Sequence, residues 1–324
     1  MRAAFHLVSA GIVLLAALLV PMPLVAFAPG GADDVAELVT IDTETTELSG
    51  TYDLLTIRLL QPSLVGTVQA LLSPDRELQL RQAVIPDDVD EEDYFRLQQQ
   101  QFGRAFRTAV AVGASHAGLD VRLQTRPIVL NVLSGGPASG RLEPGDLVLE
   151  ADGTAVFDAD ELIATLSMLS PGDRVELVVD RGGEQLDVTV TAQRIPQLDR
   201  AGLGIVLETT ANDVELPFEA ELADTTIGGP SAGMMIALTV FDLLSEVDLA
   251  AGRHVAGTGT IDADGNVGPI GGVVEKVAAA ETAGADILLV PAAQLEAAQA
   301  AAPAGLRVIG VATLADAIDA LSAA

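Results

Sequence analysis

Along the chain the apolar and polar positions change period several times, and each change marks a different kind of element. Residues 7–28 carry no charge and no polar face, a run long enough to cross a bilayer as a helix. Residues 35–60 alternate with the period of a strand, most clearly at Thr56-Ile57-Arg58-Leu59-Leu60. An acidic stretch, residues 86–93, supplies negative charge at a helix start. The helix that follows gathers Phe95, Phe102, Phe106, Ala109 and Val110 on one packing face and leaves Gln98 to Gln101 as solvated surface. From 118 to 194 strands dominate, at 129–133, 175–179 and 186–190, with one short helix near 159–169. After Ile195-Pro196 helices and strands alternate. A helix over 231–246 is apolar all round; a strand at 255–261 turns at Asp264-Gly265; a helix from about 273 stops at Gly284. Strands at 287–290 and 307–311, each followed by a helix, complete an α/β (α+β) module downstream of a small β-rich one.

The flanks of the first apolar run set its orientation. Arg2 precedes it and Asp33, Asp34 and Glu37 follow, which leaves the amino terminus in the cytoplasm and the rest of the chain outside. Ala26-Phe27-Ala28 has the small-x-small form of a signal-peptide cleavage site, with Pro29 just beyond it, so the run reads as a retained anchor or a cleaved leader. The 46 acidic and 17 basic residues give a net charge of −29, which argues against nucleic acid or anionic lipid headgroups as partners. With no cysteine, and only His6, His116 and His254, neither a thiolate nor a histidine-rich metal site is expected. No G-x-x-x-x-G-K-[ST] stretch is present, so no P-loop and no cofactor is expected.

All but one of the seventeen basic residues are arginine, and the exception is Lys276. Arginine does not release its proton in a protein, whereas a buried lysine can be driven neutral and act as a base. Lys276 falls in the first turn of its helix beside Val273, Val274 and Val277, where the helix dipole and apolar surroundings both disfavour a cation. Gly229-Pro230-Ser231-Ala232-Gly233 fits the G-x-S-x-G pattern of a nucleophile elbow. That elbow requires an acid and then a histidine further on, and His254 comes too soon to leave room for the intervening strands. A serine paired with a lysine is the variant of the triad that these residues permit. The N–H groups around Ser231, at the start of a buried helix, are natural oxyanion donors.

Two resemblances follow from these motifs. Gly135-Gly136-Pro137-Ala138, then Leu142-Glu143-Pro144-Gly145-Asp146 and the Asp152-Gly153 turn, resemble a bacterial PDZ domain, which implies recognition of an extended peptide as an added strand. Thr125-Arg126-Pro127-Ile128 stands where the glycine-rich carboxylate loop is expected. Gly-Pro-Ser-Ala-Gly at 229–233, Gly-Thr-Gly-Thr at 257–260, Val-Gly-Pro-Ile-Gly-Gly at 267–272 and Glu275-Lys276 resemble the proteolytic domain of the Lon family. The chain as a whole is similar to the membrane-anchored PDZ-Lon-type serine proteases of bacteria.

The resemblance implies Ser231 as nucleophile, Lys276 as general base and Thr258 as a hydrogen-bonding neighbour of the lysine. It implies ATP-independent hydrolysis of unfolded or PDZ-selected proteins at the outer face of the cytoplasmic membrane, and assembly as a homo-oligomer. It divides the chain into an anchor at 1–28, the first part of the protease fold at 29–115, a PDZ-like module at 116–194 and the Lon-type domain at 195–324. Gly228 departs from the acid that ATP-driven relatives often carry three residues before the serine, and Pro217 and Glu219 lie where their upstream histidines fall. The alternative is a membrane-anchored adaptor that binds peptides without cleaving them.

Overall fold

The computed structural model describes residues 18–85, 90–195 and 200–323. Before the PDZ-like segment come β1 (Leu24–Asp34), β2 (Thr51–Leu60), α1 (Leu64–Leu72), β3 (Glu77–Leu80) and α2 (Glu91–His116). The PDZ-like segment contains β4 (Arg122–Val132), β5 (Leu147–Ala151), α3 (Ala159–Ser167), β6 (Arg174–Arg181), β7 (Glu184–Thr191) and β8 (Ile205–Glu215). The remainder supplies α4 (Gly233–Leu244), β9 (His254–Gly257), α5 (Val273–Ala283), β10 (Ile287–Pro291), β11 (Arg307–Val311) and α6 (Leu314–Ser322).

One six-stranded sheet runs in the order β11-β10-β9-β2-β1-β3, so strands from both ends of the described chain share it. β9, β10 and β11 are parallel to one another, and β1 is antiparallel to both β2 and β3. Helices cover both faces, as a largely parallel sheet requires. On one side Phe102, Phe106 and Val110 of α2 and Met235, Leu238 and Val240 of α4 pack with Tyr52 and Leu54. On the other, Val277 and Ala280 of α5 pack with Leu55, Ala256, Leu288 and Val290. The PDZ-like sheet, ordered β8-β4-β5-β6-β7, closes a separate core around Val129, Val148, Leu162, Val175 and Leu177.

Three sequence expectations are corrected. The apolar run at 7–28 does not continue as a membrane helix to its end: Leu24 to Ala28 belong to β1, hydrogen-bonded to β2 and β3, with Val25, Ala26 and Ala28 buried. A strand buried between two others is as uniformly apolar as a membrane helix, and residue period cannot separate them. Residues 7–17 of that run lie outside the described residues, as do residues 86–89 of the acidic stretch and Pro196 of the module boundary. Among the described residues no helix is long and apolar enough to cross a membrane.

The second correction concerns β8, which falls in the stretch expected for the Lon-type domain. It pairs with β4 from Ile205 opposite Val132 to Glu215 opposite Arg122, and so completes the PDZ-like sheet. Thr125 to Ile128 are therefore mid-strand in β4. The glycine-rich entry to an edge strand lies instead at Gly202-Leu203-Gly204-Ile205. Third, Phe95 is half exposed and lines a cleft, whereas Phe102, Phe106, Ala109 and Val110 are buried.

Candidate active site

The cleft lies where three segments converge: the outer edge of β2, the extended residues 225–230 ahead of α4, and the start of α2. Its volume is about 1290 Å³, and Ser231 and Lys276 are both in its lining. β2 pairs with β9 only through Leu54, while β1 covers its other side as far as Leu60. The cleft-facing edge of β2 from Leu55 onward thus carries no neighbouring strand among the described residues.

Ser231 sits just before α4, and its carbonyl is tied to the segment that follows β9. Gly259 N–H donates to Ser231 O at 2.8 Å, Thr258 Oγ1 donates to the same oxygen at 3.1 Å, and Met234 N–H returns a bond to Gly259 O at 3.0 Å. Such close approach needs small residues. A Cβ on Gly257 would fall 2.3 Å from Met235 Sδ, and one on Gly259 would fall 2.7 Å from Val267 Cγ1. The alternating glycines at 257 and 259 are the local cost of seating α4 flush against this strand. Between them Thr258 is fully buried, pointing to the site.

Lys276 reaches the same point from α5. Its Nζ lies 2.7 Å from Ser231 Oγ and 2.8 Å from Thr258 Oγ1. The side chain is buried, and among the described residues no carboxylate pairs with it. Burial pushes its pKa down to about 7, because water is withdrawn and no opposite charge replaces it. The neighbouring Glu275 is also buried, with both carboxylate oxygens unpartnered. Burial raises its pKa above the ordinary glutamate value.

All three residues picked out in the sequence meet at one point. His254 does not join them: its Nε2 lies 2.7 Å from Asp53 Oδ2, at the far end of β9 from Thr258. The glutamine run was missed. Gln98 and Gln99 line the cleft, and Gln98 O accepts from Gly229 N–H at 2.8 Å, which fixes the loop leading into Ser231. The same contact accounts for Gly228. A Cβ there would fall 2.8 Å from Gln98 Cβ, leaving no room for an acidic side chain. The small residues at 228 and 229 facing a polar helix turn were the only signal in the sequence.

In the PDZ-like sheet the outer edge of β8 runs beside α3, whose Ala159 N–H donates to Thr209 Oγ1 at 3.0 Å. At its entry the carbonyls of Leu203 and Gly204 accept from Ala138 and Leu133, and Gly204 has a φ of 73°, a conformation suited to glycine.

Fold and site define a two-module chain: a small β-sheet domain with an open strand edge, and an α/β domain whose cleft holds a serine against a buried amine. Comparison with known proteins agrees module by module. Residues 109–192 match the PDZ domain family, and residues 216–321 match the Lon protease (S16) C-terminal proteolytic domain. The chain therefore carries a PDZ domain and a Lon C-terminal proteolytic domain. Over 65 residues it is 49% identical to the Lon protease of Roseiflexus castenholzii, covering 20% of this chain and 8% of that protein. Over 137 residues it is 34% identical to Lon protease 1 of Myxococcus xanthus, covering 41% of this chain and 16% of that protein. Over 75 residues it is 40% identical to a probable periplasmic serine endoprotease DegP-like of Halomonas elongata, covering 23% and 16%. The chain thus spans less than a fifth of the length of these curated relatives.

Proposed function

We propose that the chain is a serine endopeptidase that works without ATP through a Ser231–Lys276 dyad. The observation that carries this reading is the 2.7 Å approach of Nζ to Oγ in a site that has removed both water and counter-charge from the amine. Thr258 Oγ1 directs its own proton to Ser231 O, so it accepts from Lys276 Nζ. A neutral amine held in that way turns its lone pair to the Ser231 hydroxyl. Ser231 Oγ attacks the scissile carbonyl as Lys276 takes the hydroxyl proton, and Lys276 then delivers that proton to the departing amine. Water hydrolyses the acyl-enzyme by the reverse assignment. The N–H groups of Ser231 and Ala232, which make no hydrogen bond within the described residues, serve the oxyanion.

An extended substrate fits between the open edge of β2 and residues 225–230, adding a strand to the sheet. The PDZ domain selects substrates in the same manner at the edge of β8, with Gly202 to Ile205 at its entry. The apolar residues ahead of β1 hold the enzyme at the outer face of the cytoplasmic membrane.

The test is cleavage of an unfolded protein by the full chain in detergent without nucleotide. Ser231→Ala, Lys276→Ala and Lys276→Arg are each expected to lose at least about 10³-fold in rate, since members of such a unit fail together. Undiminished cleavage by either alanine variant would contradict the dyad, and absence of cleavage by the wild-type chain would favour the adaptor reading. For topology, a reporter active only outside the cytoplasm, fused after residue 324, is expected to be active.

A further inference from the structure

α1 carries no charged residue, and four of its large apolar side chains, Leu64, Val68, Leu71 and Leu72, are exposed, the last two at 72% and 80%, while Val65 is half-buried. Their spacing of i, i+4, i+7 and i+8 makes one continuous stripe that faces away from the protein. Soluble surfaces seldom leave such a stripe uncovered. The apolar surface extends beyond the helix. Leu60 and Leu80, also exposed, end β2 and β3 at the same end of the sheet, opposite Ala26 and Leu24 of β1. At that end Pro21 bridges to Ser63, and Met22 N–H donates to Pro62 O at 2.8 Å, so the exposed residues 18–20 emerge beside α1.

From these observations we infer that α1 and the adjoining strand ends lie in the headgroup boundary of a zwitterionic phospholipid bilayer. This rests on the membrane attachment proposed above. The segment that leads into the patch supports lipid as the occupant, because residues 3–20 contain no Asp, Glu, Lys or Arg. The charge narrows the kind of lipid: at −29, an anionic lipid surface is repelled. A short helix with one apolar face and no cationic residues binds by buried area alone. A consequence follows for substrates. Leu60 belongs both to the patch and to the lining of the cleft, so one end of the cleft opens at the lipid surface. The enzyme is thereby placed to take extended segments of proteins that are themselves held at the membrane.

The absence of cysteine makes a direct test simple. The full chain is reconstituted in phosphatidylcholine vesicles with one nitroxide at a time, on Val68→Cys, Leu72→Cys, Leu14→Cys or, as an aqueous reference, Met168→Cys. Collision with oxygen relative to a water-soluble nickel complex is then measured. Labels at 68 and 72 are expected to favour oxygen several-fold over the label at 168. If they match the reference while the label at 14 favours oxygen, the docking of α1 is overturned and the anchor stands. If the label at 14 also matches the reference, both readings fall. Labels at 68 and 72 that are shielded from both reagents, in proportion to protein concentration, would assign the patch to a second copy instead. As an independent measure, Val68→Glu combined with Leu71→Glu is expected to keep cleavage of a soluble unfolded substrate and to lose several-fold in rate on the same substrate tethered to the vesicle. Equal rates on the tethered substrate would overturn the inference.

Discussion

A buried charge of the PDZ domain and the buried amine of the protease domain are treated in opposite ways. In the PDZ domain Asp146 is fully buried, and its charge is met on every side. Arg181 forks onto it through Nε and Nη2, both at 2.7 Å, and Glu143 N–H donates to it at 2.9 Å. Even in the protease domain the buried Asp242 accepts from Tyr52 Oη at 2.6 Å and from Leu249 N–H at 3.0 Å. Lys276 is equally buried and, among the described residues, its amine hydrogen-bonds only to two hydroxyls. A compensated buried charge fixes a conformation, and its removal costs stability. An uncompensated one is held in the wrong protonation state for a lysine, which is useful only to chemistry. The contrast sets the compensated charges apart from Lys276 and its buried neighbour Glu275, and of those two it is Lys276 that touches the serine.

The largest expected effect tests the cost of leaving the amine uncompensated. Lysine ordinarily titrates near 10.4, and here near 7. The folded state therefore binds fewer protons than the unfolded state between those values, and stability rises with pH across that window. Below about pH 7 the cost of burial is fully present. At about 1.4 kcal/mol per unit, the window is worth on the order of 5 kcal/mol. Lys276→Met, which fills the space without a charge, is expected to be more stable than wild type at pH 6 by a margin that vanishes near pH 10. Denaturant titrations at the two pH values measure it, and a margin independent of pH would contradict the assignment.

The opposite case is Arg181. Arg181→Ala strands the Asp146 carboxylate, and a loss of about 3 kcal/mol is expected, confined to the PDZ domain. Hydrogen exchange on β5 and β6 should report it while cleavage of a short peptide continues unchanged. A variant as stable as wild type would mean that the pair contributes nothing, and the comparison would lose one side. Smaller still is Thr258→Val, which removes the hydrogen bond to the amine and the weaker one to Ser231 O. A fall of about 10-fold in kcat with KM nearly unchanged is expected, equivalent to about 1.4 kcal/mol. Loss in KM alone would place Thr258 in substrate binding.

How much of this was legible in the sequence depends on whether the signal is local. Lys276 stands out because the rest of the chain uses arginine, and Ser231 and Thr258 lie in glycine strings whose packing role the structure makes explicit. α5 and its stop at Gly284, where φ is 76°, follow from residue spacing alone. What could not be read was long-range pairing. That Leu24 to Ala28 lie between two strands, that β8 returns to β4 across 73 residues of register at its first pair, Ile205 and Val132, and that Gln98 meets Gly229 all depend on partners far along the chain. Periodicity identifies an element's faces and is silent about what covers them.

The central claim is that Lys276 titrates near 7, far below an ordinary lysine, because no charge among the described residues compensates it. Since it is the only lysine in the chain, lysine labelled at Cε with carbon-13 gives one resonance, observable in the inactive Ser231→Ala protein and in wild type. In wild type the account predicts a single titration with its midpoint near 7. A midpoint near the ordinary lysine value of about 10.4 would contradict it.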